Sequence, residues 1–257
     1  MRIIPIKTHK ITREDKDLFG IFDKYLPQLS EKSIVAITSK IISITEGRIV
    51  QIQNSEFIIH NSGKDQKDEL IEQESEFYLP RDENKFNVSL TVTRGNLVAS
   101  AGIDESNGNG YYILWPADTQ AAANKIREYL GQKFNIRDIG VIITDGKTTP
   151  LRWGVTGFAL AYSGFVPLKN YIGADDIFGR KMEYTKMNIA DGLAGAATLV
   201  MGEGNEQTPL AVISDLSTIE FQDRNPTQEE LAALKISMDE DLYAPFLKSV
   251  KWQKGKR

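Results

Sequence analysis

The stretch Gly140-Val141-Ile142-Ile143-Thr144-Asp145-Gly146-Lys147-Thr148-Thr149-Pro150 decides which kind of fold this chain can have. Its first half is a β-branched run, read as a buried strand over 138–144 that ends at Asp145. Its second half, Gly146-Lys147-Thr148, resembles the end of a phosphate-binding P-loop. That motif needs a glycine five residues before its second glycine, where this chain has Val141. Pro150 also bars a following helix beyond its first turn, so no helix N-terminus faces a phosphate there. The P-loop is rejected, and the stretch reads as a strand with an acid at its end.

Outward from it, strands alternate with helices in no regular order. Strands are expected over 2–6, 34–38, 111–115, 155–163 and 210–213. Helices are expected over 13–26, 69–78, 119–133 (capped by Asp118), 184–200 and 227–234. Segments 86–92 and 97–103 flank Arg94-Gly95-Asn96, a hairpin signal; 54–68 is polar and reads as a loop. Hairpins beside crossovers predict an α+β fold with mixed sheets and packed helices rather than a doubly wound sheet.

Composition narrows the function classes. The 257 residues suffice for a full core. A net charge of −4 argues against general nucleic-acid binding. The basic tail, Lys248, Lys251, Lys254, Lys256 and Arg257, reads as a solvated or frayed terminus. There is no cysteine, which excludes disulfides, thiolate nucleophiles and zinc–thiolate sites. No window has the roughly 20 apolar residues of a membrane span, and residues 1–6 lack a signal-peptide core. The expectation is a soluble cytoplasmic protein with no membrane partner.

Three acids sit beside glycines at the ends of core segments. Asp104 lies in Gly102-Ile103-Asp104-Glu105-Ser106-Asn107 after a small-residue strand over 98–103; Asp145 ends the strand quoted above; Glu203 lies in Met201-Gly202-Glu203-Gly204-Asn205 after an apolar helix. Such acids suit a hard divalent cation facing phosphates. They equally suit Asx turns and caps. Arg152 suits a bidentate clamp on phosphate or carboxylate, or a structural ion pair. His9 and His60 are far apart in unlike segments, and no serine-nucleophile elbow or dinucleotide fingerprint is present.

Several pieces, in order, resemble the coenzyme F420-0:γ-glutamyl ligase family over roughly residues 1–220. They are Thr38-Ser39-Lys40-Ile41-Ile42-Ser43, Glu46-Gly47-Arg48, Ala101 to Asn107, Gly140 to Asp145, Pro167-Leu168, Asp176-Ile177-Phe178-Gly179-Arg180 and Leu199 to Glu203 followed by Pro209. Residues 221–257 form a C-terminal helical segment and basic tail with no such match. The resemblance implies two interlocked lobes and an intertwined homodimer. It also implies a GTP-dependent ligase that joins L-glutamate to a small-molecule carboxylate through an acyl phosphate, with Mg2+ or Mn2+, and admits K+. By carry-over, Asp104, Asp145 and Glu203 are metal ligands. Ser39, Lys40, Asn107, Met201, Gly202, Gly204 and Asn205 are implied as nucleotide contacts; Lys147 and Arg152, which lie in a segment that does not match the family, are the catalytic candidates on their own chemistry as cations that can meet phosphate or carboxylate.

This chain also departs from the family pattern. Gly146-Lys147-Thr148-Thr149-Pro150 replaces the family's Thr-x-Gly-Arg-Pro, Ile44 replaces a lysine, and Gly192 follows Asp191 where the family has an acid. Lys147 is then the expected substitute for the charge lost at Ile44. Two alternatives to an F420 precursor follow: folate polyglutamylation, and a nucleotide-binding protein that has lost ligation.

Overall fold

In the computed structural model, residues 1–53 and 65–257 are described; His60 and most of the 54–68 loop lie outside them. The centre is a five-stranded mixed sheet in the order β1 (Arg2–Ile6), β12 (Leu210–Ser214), β2 (Ser33–Thr38), β8 (Ile139–Thr148) and β9 (Val155–Ser163). Only β2 and β8 run parallel, with Ser33 opposite Ile139 and Thr38 opposite Thr144. The other neighbours are antiparallel. β2 is buried on both faces, so it reads as an unbroken apolar run rather than an alternating one.

The two-residue period of the strands sorts the core into two layers. Val35, Ile37, Val141 and Ile143 point to one face, beneath α1 (Leu18–Tyr25), α2 (Ser39–Glu46) and α4 (Thr119–Phe134), which contribute Phe22, Ile42, Ile126 and Leu130. Ile34, Ala36, Ile142 and Ile213 point to the other, beneath α5 (Ile189–Met201) with Leu193, Ala194, Ala197 and Met201. The small residues of α5 let it lie close against β9.

A second sheet, in the order β13 (Gln253–Lys254), β4 (Phe77–Tyr78), β5 (Leu90–Thr93) and β6 (Asn96–Ala99), forms beside it. There α3 (Gln66–Glu74) packs Leu70 and Ile71 against Ala101, Ile103, Tyr112 and Leu114. Two small ribbons complete the strands: β3 (Ile49–Gln51) with β7 (Tyr111–Ile113), and β10 (Leu168–Asn170) with β11 (Lys186–Asn188). Short helices α6 (Gln228–Ala233) and α7 (Ala244–Leu247) follow the central sheet. The class is α+β, as expected. Among the described residues no helix is long and apolar enough to cross a membrane.

Several boundaries differ from the sequence reading. The first helix begins at Leu18 and not at Arg13, capped by Asp17. The helix expected over 69–78 ends at Glu74, and Phe77–Tyr78 pairs as a strand. The strand expected through Ile103 stops at Ala99. It passes into a tight turn, Ser100–Gly102, with positive φ at all three residues (49°, 55° and 72°). The helix expected from Tyr184 starts at Ile189 because 186–188 pairs with β10. β8 continues to Thr148 because Thr148 still pairs with Val155, so Asp145 lies inside the strand and does not end it.

The basic tail is docked rather than frayed. β13 pairs with β4, and Lys256 and Arg257 form ion pairs with Glu72 and Glu74.

Candidate active site

Because β2 and β8 are parallel neighbours, the chain leaves both on the same side of the sheet, where β-strand carboxyl ends commonly form a crevice. β2 passes directly into α2 at Ser39, which is buried in the first turn. From the next position, the Lys40 ammonium lies 2.6 Å from Asp104 Oδ2. It also donates to the Ser106 carbonyl and hydroxyl at 3.1 and 3.3 Å. The other Asp104 oxygen accepts the Ser106 N–H at 2.7 Å, a local turn that fixes the loop. Asn107, with φ 57°, donates its amide to the Gly204 carbonyl at 3.0 Å. That bond ties the Asp104 loop to the turn after α5.

Asp145 sits just past a register shift between Ile143 and Thr144, an irregularity of the kind that re-aims side chains near active sites. One carboxylate oxygen accepts the Gly146 N–H at 2.7 Å; the other accepts the indole N–H of Trp115. Glu203 reaches the same place from the far side. A Cβ built on Gly146 would lie 3.6 and 3.7 Å from its two carboxylate oxygens, and only 2.6 Å from Val155 Cγ1. Glycine at 146 therefore keeps the acid and the neighbouring strand close.

Three carboxylates share Lys40 as their main cation. Burial pushes the Asp145 carboxyl up to about 6, with Asp104 adding repulsion, while its hydrogen bonds to Gly146 and Trp115 and the Lys40 charge oppose the rise. Burial also pushes Glu203 up, opposed by Lys40 and reinforced by Asp104 and Glu206; its other flank is open to water. For Asp104 burial acts upward too, but contact with Lys40 and the Ser106 hydrogen bonds hold it below its ordinary value. The cluster is short of positive charge, the condition a divalent cation would relieve. Among the described residues, no group of three or more acids or histidines is spaced to hold a metal ion as it stands.

The other expected site residues divide. Met201 is buried in the α5 core face, and Gly202 ends that helix with φ 81°. The Gly204 N–H bonds to Glu206 at 2.8 Å; Asn205 is exposed. Lys147 is not directed at the acids: its ammonium lies 3.5 Å from Asp191 and 4.8 Å from the Phe158 ring centre. Ile44 is buried in the core of α2. Arg152 is exposed beyond the β8–β9 strands, with no ion pair among the described residues. His9 is held by Tyr25 and Asp15 through its two ring nitrogens, 2.8 and 2.7 Å away. Sequence reasoning missed Trp115, hidden in an apolar strand signal, and Ser106, which partners both Lys40 and Asp104.

The sequence profile of F420-0:gamma-glutamyl ligase matches residues 5–215. The chain is 34% identical over 225 residues to the coenzyme F420:L-glutamate ligase of Methanopyrus kandleri, covering 84% of this chain and 87% of that one. It is 32% identical over 254 residues to the protein of that name from Methanococcus maripaludis, covering 95% and 97%. With the Archaeoglobus fulgidus protein, also a coenzyme F420:L-glutamate ligase, the identity is 30% over 227 residues, covering 84% and 88%. The class is an acid–amino-acid ligase, an enzyme that forms a C–N bond. The chain belongs to the F420-0:gamma-glutamyl ligase family.

Proposed function

We propose that this enzyme adds L-glutamate to a carboxylate of the F420 precursor, using GTP and Mg2+ or Mn2+. The observation that carries the reading is the convergence of Lys40, Asp104, Asp145 and Glu203 beside the carboxyl end of β2, where Asp145 projects from within β8, locked by the bond from Asn107 to Gly204. The names of the relatives support glutamate and F420 as substrates.

A carboxylate is a poor electrophile, so the acceptor must be activated. Its oxygen attacks the γ-phosphorus of GTP; a C(O)O–P bond forms as the bond to the GDP oxygen breaks. The glutamate amine then attacks the acyl carbon, the C–N bond forms, phosphate leaves and the amine loses a proton. Asp104, Asp145 and Glu203 would hold the cation, which offsets charge on the phosphates; K+ is a further ion admitted by the resemblance. Ser39, Lys40, Asn107 and the 201–205 turn contact the nucleotide in this reading. Lys147 and Arg152 stay as catalytic proposals, Arg152 on the open β8–β9 connection where an acceptor can reach it.

Folate is the second acceptor to test, because the altered segment Thr148-Thr149-Pro150-Leu151-Arg152 is exposed where acceptor selection would act. We also propose a cytoplasmic homodimer of two interlocked lobes, supported by the apolar surface of Ile177, Phe178 and Leu199, each over 80% exposed.

The deciding assay incubates the protein with GTP or ATP, Mg2+ or Mn2+, glutamate, and either F420-0 or a folate. Glutamylated F420-0 with one phosphate released per bond is expected with GTP. Exclusive folate product would reassign the acceptor, and absence of any glutamylated product would sink the reading.

A further inference from the structure

Trp115, which donates to Asp145, is held on several sides. It is 2% exposed. A Cβ on Gly102 would fall 2.1–2.6 Å from three atoms of its indole, so the loop backbone lies close against the ring. Phe158 packs at 6.3 Å between ring centres. The Arg94 guanidinium covers the ring at 5.8 Å, itself fixed by the Pro116 carbonyl at 2.7 Å. With these sides closed, the ring has no room to turn, and its N–H donates to Asp145 Oδ2.

A buried indole N–H needs an acceptor, and a neutral carbonyl would satisfy it. Here it takes a carboxylate of the acid cluster. With Gly146 N–H on the other oxygen, both oxygens carry one donor each. The plane of the carboxylate is thereby set, and each oxygen keeps lone-pair capacity for a further partner. Donors of this kind orient a ligating group, and their loss commonly weakens metal binding about 10- to 100-fold.

We infer that Trp115 is a positioning residue whose indole N–H holds the Asp145 carboxylate in the orientation that meets a divalent cation. This rests on the metal reading of Asp104, Asp145 and Glu203. Trp115→Phe keeps an aromatic ring between Gly102 and Phe158 but removes the donor.

The test is Mn2+ titration by calorimetry of the full-length wild type, W115F and D145N, beside the indole N–H resonances of the same three proteins labelled with 15N, the wild type and D145N with and without Mg2+. Expected is Mn2+ binding to the wild type, weakened about tenfold or more in W115F. The resonance absent from W115F should be one that both D145N and Mg2+ displace in the protein that retains Trp115. If W115F does not fold, the displacement by D145N and Mg2+ of the most downfield of the three indole signals decides. Wild type without Mn2+ affinity overturns the metal reading and this inference together. Wild-type affinity that falls in D145N but not in W115F, or an indole signal unmoved by both D145N and Mg2+, overturns the role of Trp115 alone.

Discussion

Gly102 carries φ 72° and leaves no space for a side chain against the Trp115 indole. Gly102→Ala therefore combines left-handed backbone strain with overpacking, and is expected to lower unfolding stability by roughly 2–4 kcal/mol. Urea denaturation measures this; a change under about 0.5 kcal/mol, the range of an unremarkable surface change, would mean that the ring gives way freely. Asp145→Asn is expected to weaken metal-dependent GTP binding at least tenfold, about 1.4 kcal/mol, in a calorimetric titration; near-normal binding would remove Asp145 from the site.

Lys147 faces Asp191, so Lys147→Ala tests whether it also serves the nucleotide. The expected outcome is a larger loss of GTP binding than of acceptor binding, and the reverse order would assign Lys147 elsewhere. The acids and Asn107 were legible in the sequence because an acid or amide beside glycines is a local signal. Trp115 was not, since its bond to Asp145 joins residues 30 positions apart, and an apolar pattern does not reveal where an N–H points.

Among the elements, those defined by local chemistry were read best. Thr227 and Glu230 form a reciprocal cap at the start of α6, visible as a capping box in the sequence. Glu230 is held down to about 2, first by its hydrogen bonds from Arg224, with burial opposing and the Thr227 N–H and Gln222 assisting. Its folded value lies below its ordinary 4.5. The stability it contributes is therefore present above about pH 4.5 and lost as pH falls toward 2. The expected outcome is that Glu230→Gln lowers the thermal midpoint at pH 6 and that its gap from wild type narrows steadily as pH falls from 4.5 toward 2; a gap constant with pH would contradict the linkage.

Elements shaped by side-chain bonds, or by a strand partner elsewhere in the chain, were misread. The first helix starts late because Asp15 accepts the Thr12 N–H at 2.8 Å and pairs with His9 at 2.7 Å, holding residues 12–15 in a turn. β8 overran its expected end because β9 supplies partners through Thr148, which periodicity within β8 cannot show.

For the whole molecule, the exposed Ile177, Phe178 and Leu199 bear on assembly. Phe178→Asp with Leu199→Glu is expected to shift sedimentation from a dimer to a single 28.8 kDa chain. A wild type already monomeric at micromolar concentration would refute the homodimer. The α+β class was readable from the mixture of hairpins and crossovers. The strand order was not, because it depends on which distant segments meet.

The parallel pairing of β2 with β8 also has a consequence in time. Ser33 and Ile139 meet across 106 positions of chain, and closing such a loop carries an entropic penalty of ~4 kcal/mol before any contact offsets it. β12, drawn from Leu210–Ser214, must then fit between β1 and β2. A nascent chain that has emerged only as far as residue 200 holds β1 without its neighbour and the Ile34–Ile37 edge of β2 unpaired. The centre of the enzyme therefore closes only late in synthesis, once β12 has emerged, and until then its exposed strand edge is where chaperones and aggregation compete for the unfinished molecule.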